Sequence, residues 1–151
     1  MKNKRTLSII FVILSIIIFI ASLLLNFIEF QNGSSASIRS VIITFSYATV
    51  WILVLVTGII SRNYGAVIYC SLFWLITFIS AVTVVYGNTG GTVESWLDLM
   101  FPVILLFIGQ WHGLRFFVHS NITYFILIAV ISLVMLVIPV IWSIYNKNKS
   151  E

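Results

Sequence analysis

Residues 97–118 read LDLMFPVILLFIGQWHGLRFFV, and the architecture turns on what this stretch does. As one continuous helix it would rise about 33 Å, enough to cross the roughly 30 Å hydrocarbon core of a bilayer. Its uncharged part, Leu99 to Leu114, is only 16 residues long and is bounded by Asp98 and Arg115. Pro102 removes a backbone donor and frees the carbonyl four residues earlier, that of Asp98, which bends a helix unless another group compensates. Gly109 and Gly113 make a small-x-x-x-small pair that invites close backbone approach. At steps of three or four, Asp98, Pro102, Leu105, Gly109, His112 and Phe116 share one helical face.

The other apolar runs are simpler. Uncharged stretches span Thr6 to Ile28 (23 residues), Ser40 to Ser61 (22), Asn63 to Val93 (31) and Phe116 to Asn146 (31), and each is long enough to cross unaided. Of the 151 residues 61% are hydrophobic and 8% charged, with a mean hydropathy of +1.16. The expected fold is therefore all-α: a polytopic transmembrane helix bundle forming one integral-membrane domain over 1–151. Five spanning helices are expected, approximately 6–27, 41–60, 64–86, 97–118 and 122–145. The alternative is four spans with a fourth segment that re-enters without crossing.

Charge and length disagree about that segment. With the N-terminus inside and five crossings, Lys2, Lys4, Arg5, Arg62 and Arg115 lie inside, against Arg39, Lys147 and Lys149 outside, five against three. A re-entrant fourth segment would give six against two. The length of 97–118, with Asp98 and Arg115 near opposite ends where water can solvate them, favours five crossings and a C-terminus outside.

Many functions are excluded by what is missing. The longest hydrophilic stretch, Glu29 to Ser40, is too short to bury a core, and no phosphate-binding glycine loop stands between a strand and a helix. Cys70 is alone in an apolar run, so one subunit builds neither a disulfide framework nor a cysteine metal site. His112 and His119 would lie about 10 Å apart on a helix, too far to share an ion. Neither a metal nor a cofactor is expected. The basic residues end apolar runs and form no nucleic-acid patch. Lys2, Lys4 and Arg5 begin a stretch too long for a signal core, without a small-x-small cleavage pattern, which reads as a retained first helix. No nucleophile motif marks any serine, so the chain reads as non-enzymatic.

Small and weakly polar residues indicate where the helices meet. Ser8, Ser15 and Ser22 recur every seven residues and continue to Glu29, with Asn26 one turn from Ser22. Ala66, Cys70, Thr77, Ser80 and Ala81 form a similar stripe, as do Ala129, Ser132, Pro139 and Ser143. Membrane helices approach through such residues. The candidates for function or for lining a pathway are His112, Asp98 and Arg115, because ionisable groups inside a membrane segment are costly and mark function, and Gln110, a polar group at similar depth that needs a partner from a neighbouring helix. Ser15, Ser22, Pro102, Gly109 and Gly113 are assigned to helix packing.

The expected role is that of a small accessory, regulatory or protective protein in a bacterial cytoplasmic membrane. It would act on another membrane component, or assemble with itself, within the lipid bilayer. The alternative is a subunit of an oligomeric small-solute or ion transporter whose fourth helix lines the pathway. The Ser15/Ser22 face yields a direct test. Alanine at both positions should leave the protein folded, since each lost hydrogen bond is worth about 0.6 kcal/mol. Leucine at both should abolish a monodisperse elution profile, and tolerance of leucine would place this face against lipid.

Overall fold

The computed structural model describes the backbone of residues 2–89 and 94–148 and the side chains of 4–89 and 100–145. Among these residues every regular element is helical: α1 (Lys2–Gln31), α2 (Ile38–Ile60), α3 (Tyr64–Asn88), α4 (Glu94–Ile108) and α5 (Asn121–Asn148), with a 3₁₀ segment, Gly109–Phe116, between α4 and α5. Four of the helices, α1, α2, α3 and α5, are long and apolar enough to cross a membrane.

The first two connections use the same device. At the end of α1, Gly33 adopts φ +61°, the Gly33 amide donates to the Phe30 carbonyl (3.2 Å) and the Ser34 amide to that of Glu29 (3.1 Å). At the end of α2, Arg62 adopts φ +51°, the Arg62 amide donates to Ile59 (3.1 Å) and the Asn63 amide to Gly58 (2.9 Å). Both are left-handed caps that satisfy carbonyls a helix end leaves open. Glycine adopts this conformation freely, whereas an L-residue such as Arg62 incurs roughly 1–2 kcal/mol. The following helices start on side-chain caps: Ser37 Oγ accepts from the Ser40 amide, and Asn63 Oδ1 from the Ala66 amide.

α3 sits at the centre. It packs antiparallel to α5, so that Tyr64 at its start meets Trp142 near the end of α5 (ring centroids 5.3 Å), while Val82 and Val85 near its end lie beside Ile126 and Ala129. The start of α1, the α2–α3 turn and the end of α5 therefore share one end of the bundle, called here the Arg62 end. The α1–α2 loop lies at the other, the Glu29 end. The core between them is aromatic: Trp51 stacks on Phe73 at 3.8 Å, and Trp74 packs against Trp51, Phe73 and Trp111 at 6.2, 6.0 and 5.7 Å. Trp74, in mid-helix, is thus held by packing.

The fourth segment corrects the expectation of an unbroken helix over 97–118 and of five long spans. α4 begins six residues after α3 ends, descends until Phe107 meets Phe19 of α1 (5.8 Å) and Phe73 of α3 (5.1 Å), and stops at Ile108. The 3₁₀ segment then climbs back to the Glu29 end, where His112 faces Glu29 and Arg115 bonds Asn121, the first residue of α5. Pro102 is accommodated inside α4 and does not end it.

The break is set by hydrogen bonds to the segment's carbonyls, most of them from other helices. Gln110 Nε2 donates to the Leu106 carbonyl (2.7 Å), the Tyr124 hydroxyl to that of Ile108 (3.3 Å), and Asn26 Nδ2 and Thr44 Oγ1 to that of Gln110 (3.2 and 2.9 Å). In a continuing α-helix these carbonyls would accept from the amides of residues 110, 112 and 114. Side chains take up the acceptors, and the chain tightens into 3₁₀ geometry.

The two glycines differ. A Cβ at Gly109 would meet only the Phe30 ring, at 3.5 Å, whereas one at Gly113 would overlap the Ser40 carbonyl and Thr44 Oγ1. Gly113→Ala should lower stability by roughly 1–3 kcal/mol through overpacking against backbone. Gly109→Ala should cost well under half of that. Thermal unfolding of the two variants in detergent measures the difference, and equal midpoints would contradict this packing.

Candidate functional site

The polar stripe of α1 leads into the one dense polar cluster of the described interior. Ser8, Ser15, Ser22 and Asn26 are all fully buried. Ser8 Oγ accepts from Asn63 Nδ2 (3.3 Å), and Ser15 Oγ lies 3.2 Å from the Tyr69 hydroxyl. Ser22 Oγ donates to Gln110 Oε1, and Asn26 to the Gln110 carbonyl. Seven-residue spacing keeps these groups on one line because two helical turns nearly restore the same azimuth. Each rung meets a different element: the α2–α3 turn, then α3, then the 3₁₀ segment.

Glu29 ends the line. Its carboxylate accepts from Ser37 Oγ (2.9 Å), the Ser37 amide (3.3 Å) and Ser40 Oγ, so the start of α2 is fastened to the end of α1. The Glu29 side chain is 26% exposed, and its Oε2 stands 3.8 Å from Nε2 of His112, which is fully buried. The His112 ring lies edge-on to Phe30 at 6.1 Å, and neither of its nitrogens has a hydrogen-bond partner. Thr44 completes the enclosure: its hydroxyl donates to the Gln110 carbonyl and accepts from the Gly113 amide (3.1 Å).

Of the residues singled out from sequence, Gln110, His112, Gly109 and Gly113 are brought together and buried. Asp98 lies in α4 with its side chain outside the described residues, and the helix on which it was expected to share a face with His112 ends at Ile108. Arg115 stands apart from the cluster: it donates to Asn121 Oδ1 (3.0 Å) and lies over the Tyr124 ring at 5.1 Å. Sequence reasoning assigned no role to Thr44, Ser37 or Ser40, and placed Glu29 and Asn26 on a stripe without giving them one. The stripe itself was the available signal for these last two. Thr44 and Ser40 become legible only once Gly113 is seen against the Ser40 carbonyl.

Chemically, the cluster is a network of hydroxyls, amides and carbonyls around one carboxylate and one imidazole, with the two His112 nitrogens and Asn26 Oδ1 left without hydrogen-bond partners. Among the described residues no three His, Cys, Asp or Glu side chains converge to hold a metal ion. Ser37 and Ser40 are turned to Glu29, and no hydroxyl bonds His112 as a nucleophile would bond its base. Interhelical hydrogen bonds that replace lost backbone bonds are what the arrangement supplies.

No family model, curated protein or solved structure matches this chain.

Thr44→Val isolates the key joint, because valine keeps the shape and removes a donor to Gln110 and an acceptor for Gly113. Leaving a buried acceptor and amide short of partners should cost roughly 1–3 kcal/mol. Ser46→Ala, off this cluster, should have little effect. Unfolding curves for both variants check the claim, and an unaltered Thr44→Val midpoint would refute it.

Proposed function

We propose that this chain is a non-enzymatic accessory or regulatory protein of a bacterial cytoplasmic membrane, crossing four times with both termini inside and carrying a re-entrant fourth segment. It acts within the bilayer on another membrane component. The observation that carries this reading is the sealing of His112 and Gln110: both are fully buried, and Gln110, Thr44 and Ser22 direct their hydrogen bonds into the lock between α1, α2 and the 3₁₀ segment. A transport pathway along the fourth segment needs water or ions at these groups, and side chains sealed within the bundle, with Gln110 committed to its own chain, give them no route in.

Four crossings also reconcile length with charge. The end of α5 then lies with the start of α1, so Lys2, Lys4, Arg5, Arg62, Lys147 and Lys149 are inside and Arg39 and Arg115 outside, six against two. The reading of Leu97 to Val118 as a full crossing had left two C-terminal lysines on the wrong side. Lipid faces the apolar surfaces of α1 and α5, where Ile17, Leu24, Ile28, Ile141 and Ile144 are exposed.

The test combines topology with accessibility. Reporters fused to either terminus should both read cytoplasmic. In a Cys70→Ala background, His119→Cys, an exposed site beside α5, should react with an impermeant thiol reagent added outside, while His112→Cys should stay protected in the folded protein. Rapid labelling of His112→Cys from either side would reinstate the pathway reading, and an external C-terminal reporter would overturn the four-crossing topology.

A further inference from the structure

At the Arg62 end, the first turns of α1 and the α2–α3 turn enclose a cleft of about 850 Å³ lined by Lys4, Arg5, Ile60, Ser61, Arg62, Asn63, Tyr64 and Gly65. Three cations from two separate parts of the chain converge on it. Glu29, the carboxylate among the described side chains, is committed to Ser37, Ser40 and His112 at the opposite end, 25 residues further along α1 than Lys4. The cleft therefore carries three positive charges with no neutralising partner among the described residues.

Basic residues at a membrane boundary ordinarily serve as topology signals and anchors. Two features here go beyond that role. The cations border one shared concavity instead of splaying around the bundle. And Arg62 occupies the left-handed position of a helix cap, φ +51°, where the equivalent cap of α1 has Gly33. The turn needs a residue that tolerates this conformation, and arginine does so only with strain; strain of this kind collects at functional positions. What arginine adds over glycine is a planar fork of donors suited to a phosphate group. The walls suit such a ligand as well: Asn63 is already held by Ser8 and the Ala66 amide, so the rim is fixed, and the Tyr64 ring is backed by Trp142.

We propose that this cleft binds a phosphate-bearing anion at the membrane surface, with Arg62 as the principal contact and Lys4 and Arg5 completing the site. The phosphate is presented by an anionic lipid headgroup or by a phosphorylated solute, and these two sources are separable by experiment. The proposal is independent of the accessory role and of the lock at the Glu29 end.

The experiment uses the purified full-length chain in detergent, titrated with phosphatidylglycerol or phosphatidylcholine, with bound lipid counted by native mass spectrometry. Wild type should prefer phosphatidylglycerol. Arg62→Gly, whose glycine relieves the strained cap and so keeps or raises the unfolding midpoint, should weaken that binding about fivefold, the worth of one cation at an anionic surface. Lys4→Gln with Arg5→Gln should weaken it further, whereas Arg39→Gln, an equal loss of charge at the other end, should leave it unchanged. Displacement of the lipid by millimolar inorganic phosphate would assign the site to a soluble ligand, and resistance to it would assign the headgroup. The proposal falls if Arg62→Gly binds as wild type, if Arg39→Gln loses as much, or if phosphatidylcholine binds equally well.

Discussion

A backbone carbonyl in hydrocarbon must find a donor, and around residue 110 this requirement is met by side chains from three helices. Gln110 serves Leu106, Tyr124 of α5 serves Ile108, and Asn26 of α1 with Thr44 of α2 serves Gln110 itself. Each of the three carbonyls served in this way releases one amide of the fourth segment from α-helical pairing, and together these bonds allow a tight turn of chain to exist inside the bundle. Irregular backbone at membrane depth is tolerated only where protein or water satisfies it. Here it is protein. The close fit of Gly113 against the Ser40 carbonyl is the steric counterpart, since the donors reach their acceptors only if the segment lies directly on α2.

This constraint also explains the shape of the rest. Because the fourth segment returns to the end where it began, α5 starts beside the end of α3 and packs antiparallel along it. α2 and α5 are left apart by an apolar groove of about 220 Å³ between them, floored by Trp74 and Trp111. The aromatic core extends onto the 3₁₀ segment, where Trp111 reaches Tyr47 at 5.6 Å and Trp74 at 5.7 Å. Large rings suit this position because they bury much area.

Much of this was legible in the chain. The four long helices follow from apolar run length, and the heptad of Ser8, Ser15 and Ser22 marks the buried face of α1, since periodicity within a helix is a local property. The fate of residues 97–118 was not local. Pro102, the expected point of distortion, sits quietly in α4, while the break falls at Gly109, where the deciding donors come from positions 26, 44 and 124. No window around Gly109 contains them. Charge carried the missing information in weak form, because the balance of six cations against two arises only if the segment turns back. Asp98 and His112 looked like partners on one face solely under the assumption of an unbroken helix.

The two ends of the bundle solve opposite electrostatic problems. At the Glu29 end a carboxylate is enclosed by hydroxyls, an amide and an imidazole, so its charge is met from within and the α1–α2 loop is held closed. At the Arg62 end three cations stand without such enclosure among the described residues, one of them on a strained backbone that glycine would relieve. Stability accounts for the hydrogen bonds around Glu29, which fasten the end of α1 to the start of α2. It does not explain the Arg62 end, because like charges around one cleft repel and a left-handed arginine costs roughly 1–2 kcal/mol. Among the described residues nothing supplies the balancing charge, and the proposed anion at this cleft would turn a costly arrangement into a favourable one.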